Sequence, residues 1–330
     1  MTVQITIVGL GQIGTSIGLA LAGRQDVVYR VGHDREVSIS RRAEKMGAVD
    51  KVAINLPAAV READIVMLAL PVDQIHDTLT IIKEDLKSGV VVMDTSPNKQ
   101  AVVNWTAEII STECYYIGLI PAVNAAYLHE VETGIDAAHA DLFHNSLIAI
   151  VAPPTTHSEA IKLAADLVKL LGAAPLFTDL MELDGLMAKT QILPQLMAAA
   201  LLDATLGQPG WAEARKLAGK SYAQVTAPIL IPTDARSLQA TALLNQANII
   251  RLLDELVASL QAMRVDIAGD DPAGLNQCLE NARHGREEWW NQRLSDRWPD
   301  DEAPSVKAPT SAEIFGQLIG LRKRQQKDNK

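Results

Sequence analysis

Gln4-Ile5-Thr6-Ile7-Val8-Gly9-Leu10-Gly11-Gln12-Ile13-Gly14 is the stretch that decides the fold. Residues 4–9 form a short apolar, β-branched run, which reads as a buried strand. From Ile13 to about Ala22 the apolar residues fall at helical spacing. Gly9, Gly11 and Gly14 stand between strand and helix as G-x-G-x-x-G. That pattern is weak alone. Its context makes it specific: it closes a strand, opens a helix, and is followed by Asp34 at the end of a second strand over 27–32. Gly9 permits the tight turn, Gly11 lets backbone approach a pyrophosphate, and Gly14 lets helix and strand pack closely. The pyrophosphate sits at the positive end of the helix, held by the turn Gly9, Leu10, Gly11, Gln12, Ile13 and Gly14. Asp34 accepts hydrogen bonds from ribose hydroxyls and repels a 2′-phosphate, which favours NAD. The neighbouring Arg35 is suited to that phosphate and keeps NADP open.

Further strands are expected at 63–70, 90–94, 115–119, 147–152 and 174–179, with helical patterns between them. Alternation of this kind predicts a doubly wound parallel sheet with helices on both faces, an α/β fold of Rossmann type. Leu70 and Pro71 end the third strand at the carboxyl edge, where such sheets bind ligands, and Pro71 is expected to line a nicotinamide pocket. Ser96 with Pro97 reads as the cap and first position of one helix. Thr156-His157-Ser158-Glu159 reads as a capping box before another. After Asp179 strand signals stop. Long helical patterns cover 181–205, 238–263 and 273–291. Residues 298–309 read as a proline-rich acidic linker, and 311–324 as a short terminal helix with a basic end. The expected domains are 1–179 for the dinucleotide, 180–298 for substrate and dimerisation, and 299–330 as linker and tail.

Composition narrows the class. A chain of 330 residues, 48% hydrophobic and 21% charged, has the usage of a globular protein of about two domains. With 40 acidic against 30 basic residues the net charge is −10, a poor whole-surface partner for nucleic acid or anionic lipid. Two cysteines, Cys114 and Cys278, exclude a disulfide framework and a multi-cysteine zinc site, and fit a reducing compartment. No metal-ligand spacing is present. The apolar N-terminal stretch has no basic flank and is broken by glycines, and 193–202 is too short to span a bilayer. A cytoplasmic protein with no membrane or nucleic-acid partner is expected.

The motifs also resemble a family. Gly9 through Gly14, Gly32-His33-Asp34-Arg35, Ala63-Asp64-Ile65-Val66 and Leu70-Pro71-Val72 look like the prephenate/arogenate dehydrogenases. Asp94-Thr95-Ser96-Pro97-Asn98-Lys99 resembles their Asp-x-x-Ser-x-Lys segment with the serine one place early. Ala138 through Phe143 resembles their Ala-x-x-Asp-Leu-Phe stretch. Asp184, Leu193-Pro194 and 238–245 resemble parts of their helical domain. The resemblance implies NAD(P)-dependent oxidation of prephenate or arogenate with loss of CO₂, toward tyrosine. It also implies a histidine base, an arginine for a substrate carboxylate, and a homodimer joined through the helical domain, with hydride transfer between the domains.

At the positions that carry this chemistry the chain departs from the family. The histidine position of Gly-x-His-Pro-Met-x-Gly is Ile120. The Ser-His-Leu-Pro-His run is Gln191-Ile192-Leu193-Pro194-Gln195. The arginine-bearing segment falls near 222–227 and holds no arginine. Three residues are therefore candidates for the chemistry. His129, in a loop over 125–133 that is longer than the family's, either re-supplies the base or is a surface histidine. Lys189 stands where the similar β-hydroxyacid dehydrogenases place a catalytic lysine, and otherwise is a solvated helix lysine. Ser96 either touches nicotinamide or substrate or only caps its helix. Lys99 either attracts an anionic substrate or faces water. Gln191 and Gln195, one turn apart, are expected on one face. Trp289, Trp290 and Trp298 read as packing or dimer contacts. The substrate expected is a small anionic acid; within the enzyme class the alternative is a dehydrogenase or reductase of another small oxo- or hydroxy-acid, with Lys189 or His129 as proton donor. A non-catalytic NAD-binding protein is the other class.

Overall fold

A computed structural model describes residues 2–231, 234–295 and 298. The tail at 299–330, with the helix expected at 311–324 and Arg322-Lys323-Arg324, lies outside the described residues, as does most of the linker. The chain divides into two compact units, the first ending at Leu183 and the second beginning at Asp184.

The first unit runs β1 (Val3–Val8), α1 (Gln12–Ala20), β2 (Val28–His33), α2 (Val37–Lys45), β3 (Lys51–Val52), α3 (Leu56–Val60), β4 (Ile65–Leu68), α4 (Val72–Ile82), β5 (Val91–Asp94), α5 (Lys99–Ile109), β6 (Tyr115–Pro121), β7 (Leu147–Val151), α6 (Ser158–Leu170) and β8 (Ala174–Phe177). Eight strands form one sheet in the order β3-β2-β1-β4-β5-β6-β7-β8. The order reverses between β1 and β4, which opens a crevice at their carboxyl ends. The middle strands β4 and β5 are buried along their whole length, as expected of strands covered on both faces.

One pairing departs from the all-parallel expectation. β6 and β7 are antiparallel, with Pro121 opposite Ile148. The connection between them, 122–146, carries only two 3₁₀ turns, Ala125–Tyr127 and Gly134–Ala137. No helix returns the chain to the far edge, so it stays at the carboxyl edge and β7 runs back from there. The two-residue β3 carried no apolar run and was not expected.

The second unit is helical. α7 (Leu180–Met187) runs across the boundary between the units, and is followed by α8 (Leu193–Leu206), α9 (Trp211–Leu217), α10 (Lys220–Thr226), α11 (Ala235–Leu244), α12 (Gln246–Ala268) and α13 (Pro272–Ser295). Its core joins Ala188, Ile192, Leu238, Ile249 and Leu252. The single helix expected over 181–205 is instead two helices separated by a π-helical stretch, Ala188–Ile192. The pattern over 238–263 breaks at Asn245, whose side-chain amide donates to the Asp184 carbonyl at 2.7 Å. The cap reading at Ser96 is also corrected: α5 starts later, at Lys99 behind Asn98.

A buried arginine ties the front of the first unit together. Arg30 on β2 donates to both carboxylate oxygens of Asp50, at 2.6 and 3.0 Å, and to the carbonyls of Gly18 and Gly47 at 2.8 Å. It thereby joins the end of α1 and the turn after α2 to the approach to β3. Burial pushes the Asp50 carboxyl up, but the hydrogen bonds and charge of Arg30 outweigh that and hold it below the usual carboxylate range. Arg30→Met is expected to cost about 3 kcal/mol, because one partner of a largely buried pair is left alone. Urea unfolding at neutral pH measures it. Because Asp50 is depressed, its contribution is present above the ordinary aspartate range and fades as pH falls through its folded value. The gap between wild type and variant therefore narrows in acid. An unfolding midpoint unchanged at neutral pH would refute the role.

Candidate functional site

The glycine turn is dictated by close approach. Gly9 has φ +90°, and a Cβ there would lie 2.4 Å from the carbonyl oxygen of Ala69, just past β4. At Gly14 a Cβ would lie 1.9 Å from the carbonyl oxygen of Gly9. Both positions must be glycine for α1 to sit on β1 and β4. Gly11 is different. Nothing lies within 4 Å of its missing Cβ, and its φ of −74° suits any residue. The fold does not demand glycine there, whereas a ligand approaching the backbone would.

No side chain caps α1 and its first turn holds no acidic residue. Its first N–H groups and its positive end are left to an anion. Asp34, just past β2, is fixed beside this turn. Its Oδ2 accepts from the Leu10 amide at 2.8 Å and its Oδ1 from the Glu36 amide at 2.9 Å. Thr15 Oγ1 donates to the Leu10 carbonyl at 2.8 Å and closes the first helical turn. Gln12 and Ile13 are half-buried, Arg35 is exposed, and Leu70 and Pro71 are half-buried at the end of β4. Leu70 packs against Gly9. The glycine turn, Asp34 and Leu70 thus meet at the β1/β4 crevice, an arrangement that fits a dinucleotide.

At the end of β5 the sheet carries a buried polar hub that sequence reading did not resolve. Asp94 accepts from Lys99 Nζ at 2.8 Å, from Ser96 Oγ at 2.6 Å, from the Ser96 amide at 2.8 Å, and from the Tyr116 hydroxyl on β6. Asp94 and Lys99 are both fully buried. Lys99 therefore neither faces water nor offers its charge to an anion, against both expectations. Gly118 makes room for it: a Cβ there would lie 2.7 Å from Lys99 Cδ. Ser96 spends its hydroxyl proton on Asp94, so only its lone pairs remain to accept from a ligand. The spacing Asp94, Ser96, Lys99 carried the signal, but burial of the lysine depends on β6, which lies beyond that segment.

Ile120, near the end of β6, is half-buried and carries no proton acceptor. His129 is exposed in the 122–146 connection. In the same connection His139 Nε2 meets Glu130 at 3.0 Å. Lys189 is exposed and belongs to the second unit, within the π-helical stretch. Gln191 and Gln195 differ in burial, the first exposed and the second buried, so they are not presented together to a ligand. Asp184 and Asn245 are buried beside each other in the same unit. Trp289 and Trp290 both lie against the Arg286 guanidinium, at 4.9 and 4.7 Å. Among the described residues no acidic, histidine or cysteine cluster is arranged to hold a metal ion, and no helix is long and apolar enough to cross a membrane.

Residues 17–176 match the sequence family described as prephenate dehydrogenase, nucleotide-binding domain. Over 289 residues the chain is 24% identical to a prephenate dehydrogenase of Bacillus subtilis (strain 168), an alignment that takes in 86% of this chain and 75% of that protein. It is 26% identical over 283 residues to a cyclohexadienyl dehydrogenase of Zymomonas mobilis, over 86% of this chain and 94% of that one. Among solved structures it resembles a prephenate dehydrogenase from A. aeolicus in complex with hydroxyphenyl propionate and NAD⁺. The TM-score is 0.77 and the identity 19%, over 88% of this chain and 99% of that one. At that identity the likeness is one of fold.

Gly11→Val separates the two kinds of glycine. Because the position is open, the variant is expected to unfold at the wild-type temperature. Its branched side chain occupies the approach to the helix end, so NAD⁺ affinity by calorimetry is expected to fall at least about tenfold, or 1.4 kcal/mol. Unchanged affinity would remove the turn from the binding site.

Proposed function

We propose that this chain is a member of the prephenate dehydrogenase family and that it oxidises a small anionic acid of the prephenate or arogenate type. It is an NAD-dependent oxidoreductase of that group. The observation that carries the reading is the pairing of Gly11, which the fold leaves open, with Asp34, fixed beside it by the Leu10 amide. Asp34 sets a carboxylate where ribose hydroxyls donate and where a 2′-phosphate is repelled, so NAD is preferred over NADP. Arg35 is exposed.

A bound nicotinamide supplies the hydride acceptor. The protein must position the substrate carbon against it, exclude water, and take the proton of the substrate hydroxyl. Ile120 cannot take that proton. The candidates are His129 and Lys189, or the Asp94 carboxylate reached through Ser96, whose Oγ can accept the substrate proton only as it passes its own along the hydrogen bond it donates to Asp94. Leu70 and Pro71 supply an apolar border at the end of β4. We read 180–298 as the substrate and dimerisation domain. Ile250, Leu253, Val257 and Leu260 recur along α12 at spacings of three and four and are 36–50% exposed, which supports a homodimer formed through these helices. The composition supports a cytoplasmic protein.

A second reading is a non-catalytic NAD-binding protein. It is favoured by the apolar Ile120 together with the exposure of both His129 and Lys189. One paired assay decides: NAD⁺ affinity, then NADH formation with prephenate and with arogenate. Turnover of either acid is expected, with NAD⁺ preferred over NADP⁺. Removal of the true proton acceptor, tested in His129→Ala, Lys189→Ala and Ser96→Ala, is expected to lower kcat by about 10²–10⁴-fold. Tight NAD⁺ binding with no turnover of either acid would sink the substrate assignment.

A further inference from the structure

Gln195 lies on α8, three residues after the end of the π-helical stretch. It is 7% exposed. The buried residues Asp184, Ala188, Ile192, Gln195 and Ala198 follow one another at spacings of four and three, so Gln195 belongs to the stripe that faces the interior of the helical unit. Ala188 and Ile192 of that stripe pack against Leu238, Ile249 and Leu252, and the nearby Leu193 and Leu196 pack against the same core. The packing around this turn is apolar, yet the residue carries an amide with one acceptor oxygen and two donor hydrogens.

Among the described residues Gln195 makes no hydrogen bond. Its buried polar neighbours in the unit are occupied. Asn245 donates to the Asp184 carbonyl at 2.7 Å and accepts from Asn248 at 2.8 Å, and Thr241 donates to the Ser237 carbonyl at 2.7 Å. Neither the amide oxygen nor the amide nitrogen of Gln195 is fully enclosed. The stem is therefore buried and the tip is reached by solvent. An apolar residue of the same shape would be neutral or stabilising at such a place, so the fold gains nothing from the amide. A second observation falls on the same turn. The Leu193 N–H donates to the Ala188 carbonyl, five residues back, and Pro194 has no N–H to offer. Such π turns inside helices are rare and are frequent at functional sites.

We propose that Gln195 is a specificity-determining residue of the helical unit, whose amide reads the oxo or amino group on the side chain of the substrate. The proposal rests on the reading of 180–298 as the substrate domain of a dehydrogenase for prephenate or arogenate. Prephenate carries a ketone where arogenate carries an ammonium group. A neutral amide serves both: its Nε2 donates to the ketone oxygen, and with the amide turned over its Oε1 accepts from the ammonium. A residue with a full charge at this tip would select one of the two. With glutamine, kcat/KM for the two acids is expected to agree within about tenfold.

Two variants test the assignment. In the presence of NAD⁺ each acid is expected to raise the melting temperature of the wild type. Gln195→Met is expected to melt no lower than the wild type without ligand and to keep its NAD⁺ affinity. It is also expected to lose most of the rise with either acid, with KM for both growing at least about tenfold. Gln195→Glu keeps the size and adds a charge, so the ratio of kcat/KM for arogenate over prephenate is expected to rise at least about tenfold. A Gln195→Met that melts clearly lower without ligand overturns the proposal, because the amide then has a partner within the fold. A Gln195→Met that still responds fully to both acids overturns it too, as does an unchanged ratio in Gln195→Glu. If the acids raise the melting temperature of the wild type but neither is turned over, loss of that rise in Gln195→Met sustains the binding role and the dehydrogenase reading fails instead. A wild type that responds to neither acid overturns both.

Discussion

The approach of α1 to the turn before it is the constraint on which the rest depends. A single Cβ at Gly14 would collide with the Gly9 carbonyl at 1.9 Å, and one at Gly9 would collide with the Ala69 carbonyl at 2.4 Å. Without side chains at these two points, helix, β1 and β4 close on one another. The positive end of α1 then lands at the place where the strand order reverses, and Asp34 reaches the Leu10 amide. A crevice with a helix end on one side and a carboxylate on the other is a consequence of that packing. Gly11 adds nothing to the packing and is open, so its cause is to be sought in what occupies the crevice.

Away from the cofactor side, Ile120 at the end of β6 offers no titratable group, while one strand away Asp94 gathers Lys99, Ser96 and Tyr116 into a buried hub. A carboxylate and an ammonium without water are stable only when each is paired and hydrogen-bonded. The hub meets that condition, and so it holds the end of β5 and the entry to α5 rigid. Its chemistry is inward-facing: the charge of Lys99 is neutralised locally and Ser96 is turned into an acceptor.

The alternation of strands and helices, the glycine turn and Asp34 were legible because they rest on local rules: apolar runs, glycine spacing and the distance from one strand end to the next. What was not legible depends on neighbours remote in the chain. β3 is two residues long and exists because β2 offers it an edge. The antiparallel turn of β7 follows from a connection that lacks a helix, which no apolar pattern announces. The π-helical stretch at Ala188–Ile192 is hidden by periodicity averaged over the whole helix. Lys99 looked like a surface lysine because its partners, Asp94 and Tyr116, come from two different strands.

The sequence by itself determined the dinucleotide-binding topology and the position of the cofactor crevice, since apolar runs, glycine spacing and the Gly14–Gly9 approach act over short stretches of chain. Tertiary structure alone decided which polar groups are available to a ligand. Availability is set by burial and by hydrogen-bond partners brought in from elsewhere in the fold: Asp94 accepts the hydrogen bond of the Ser96 hydroxyl and pairs with the charge of Lys99, and Glu130 and Tyr127 hold the His139 ring.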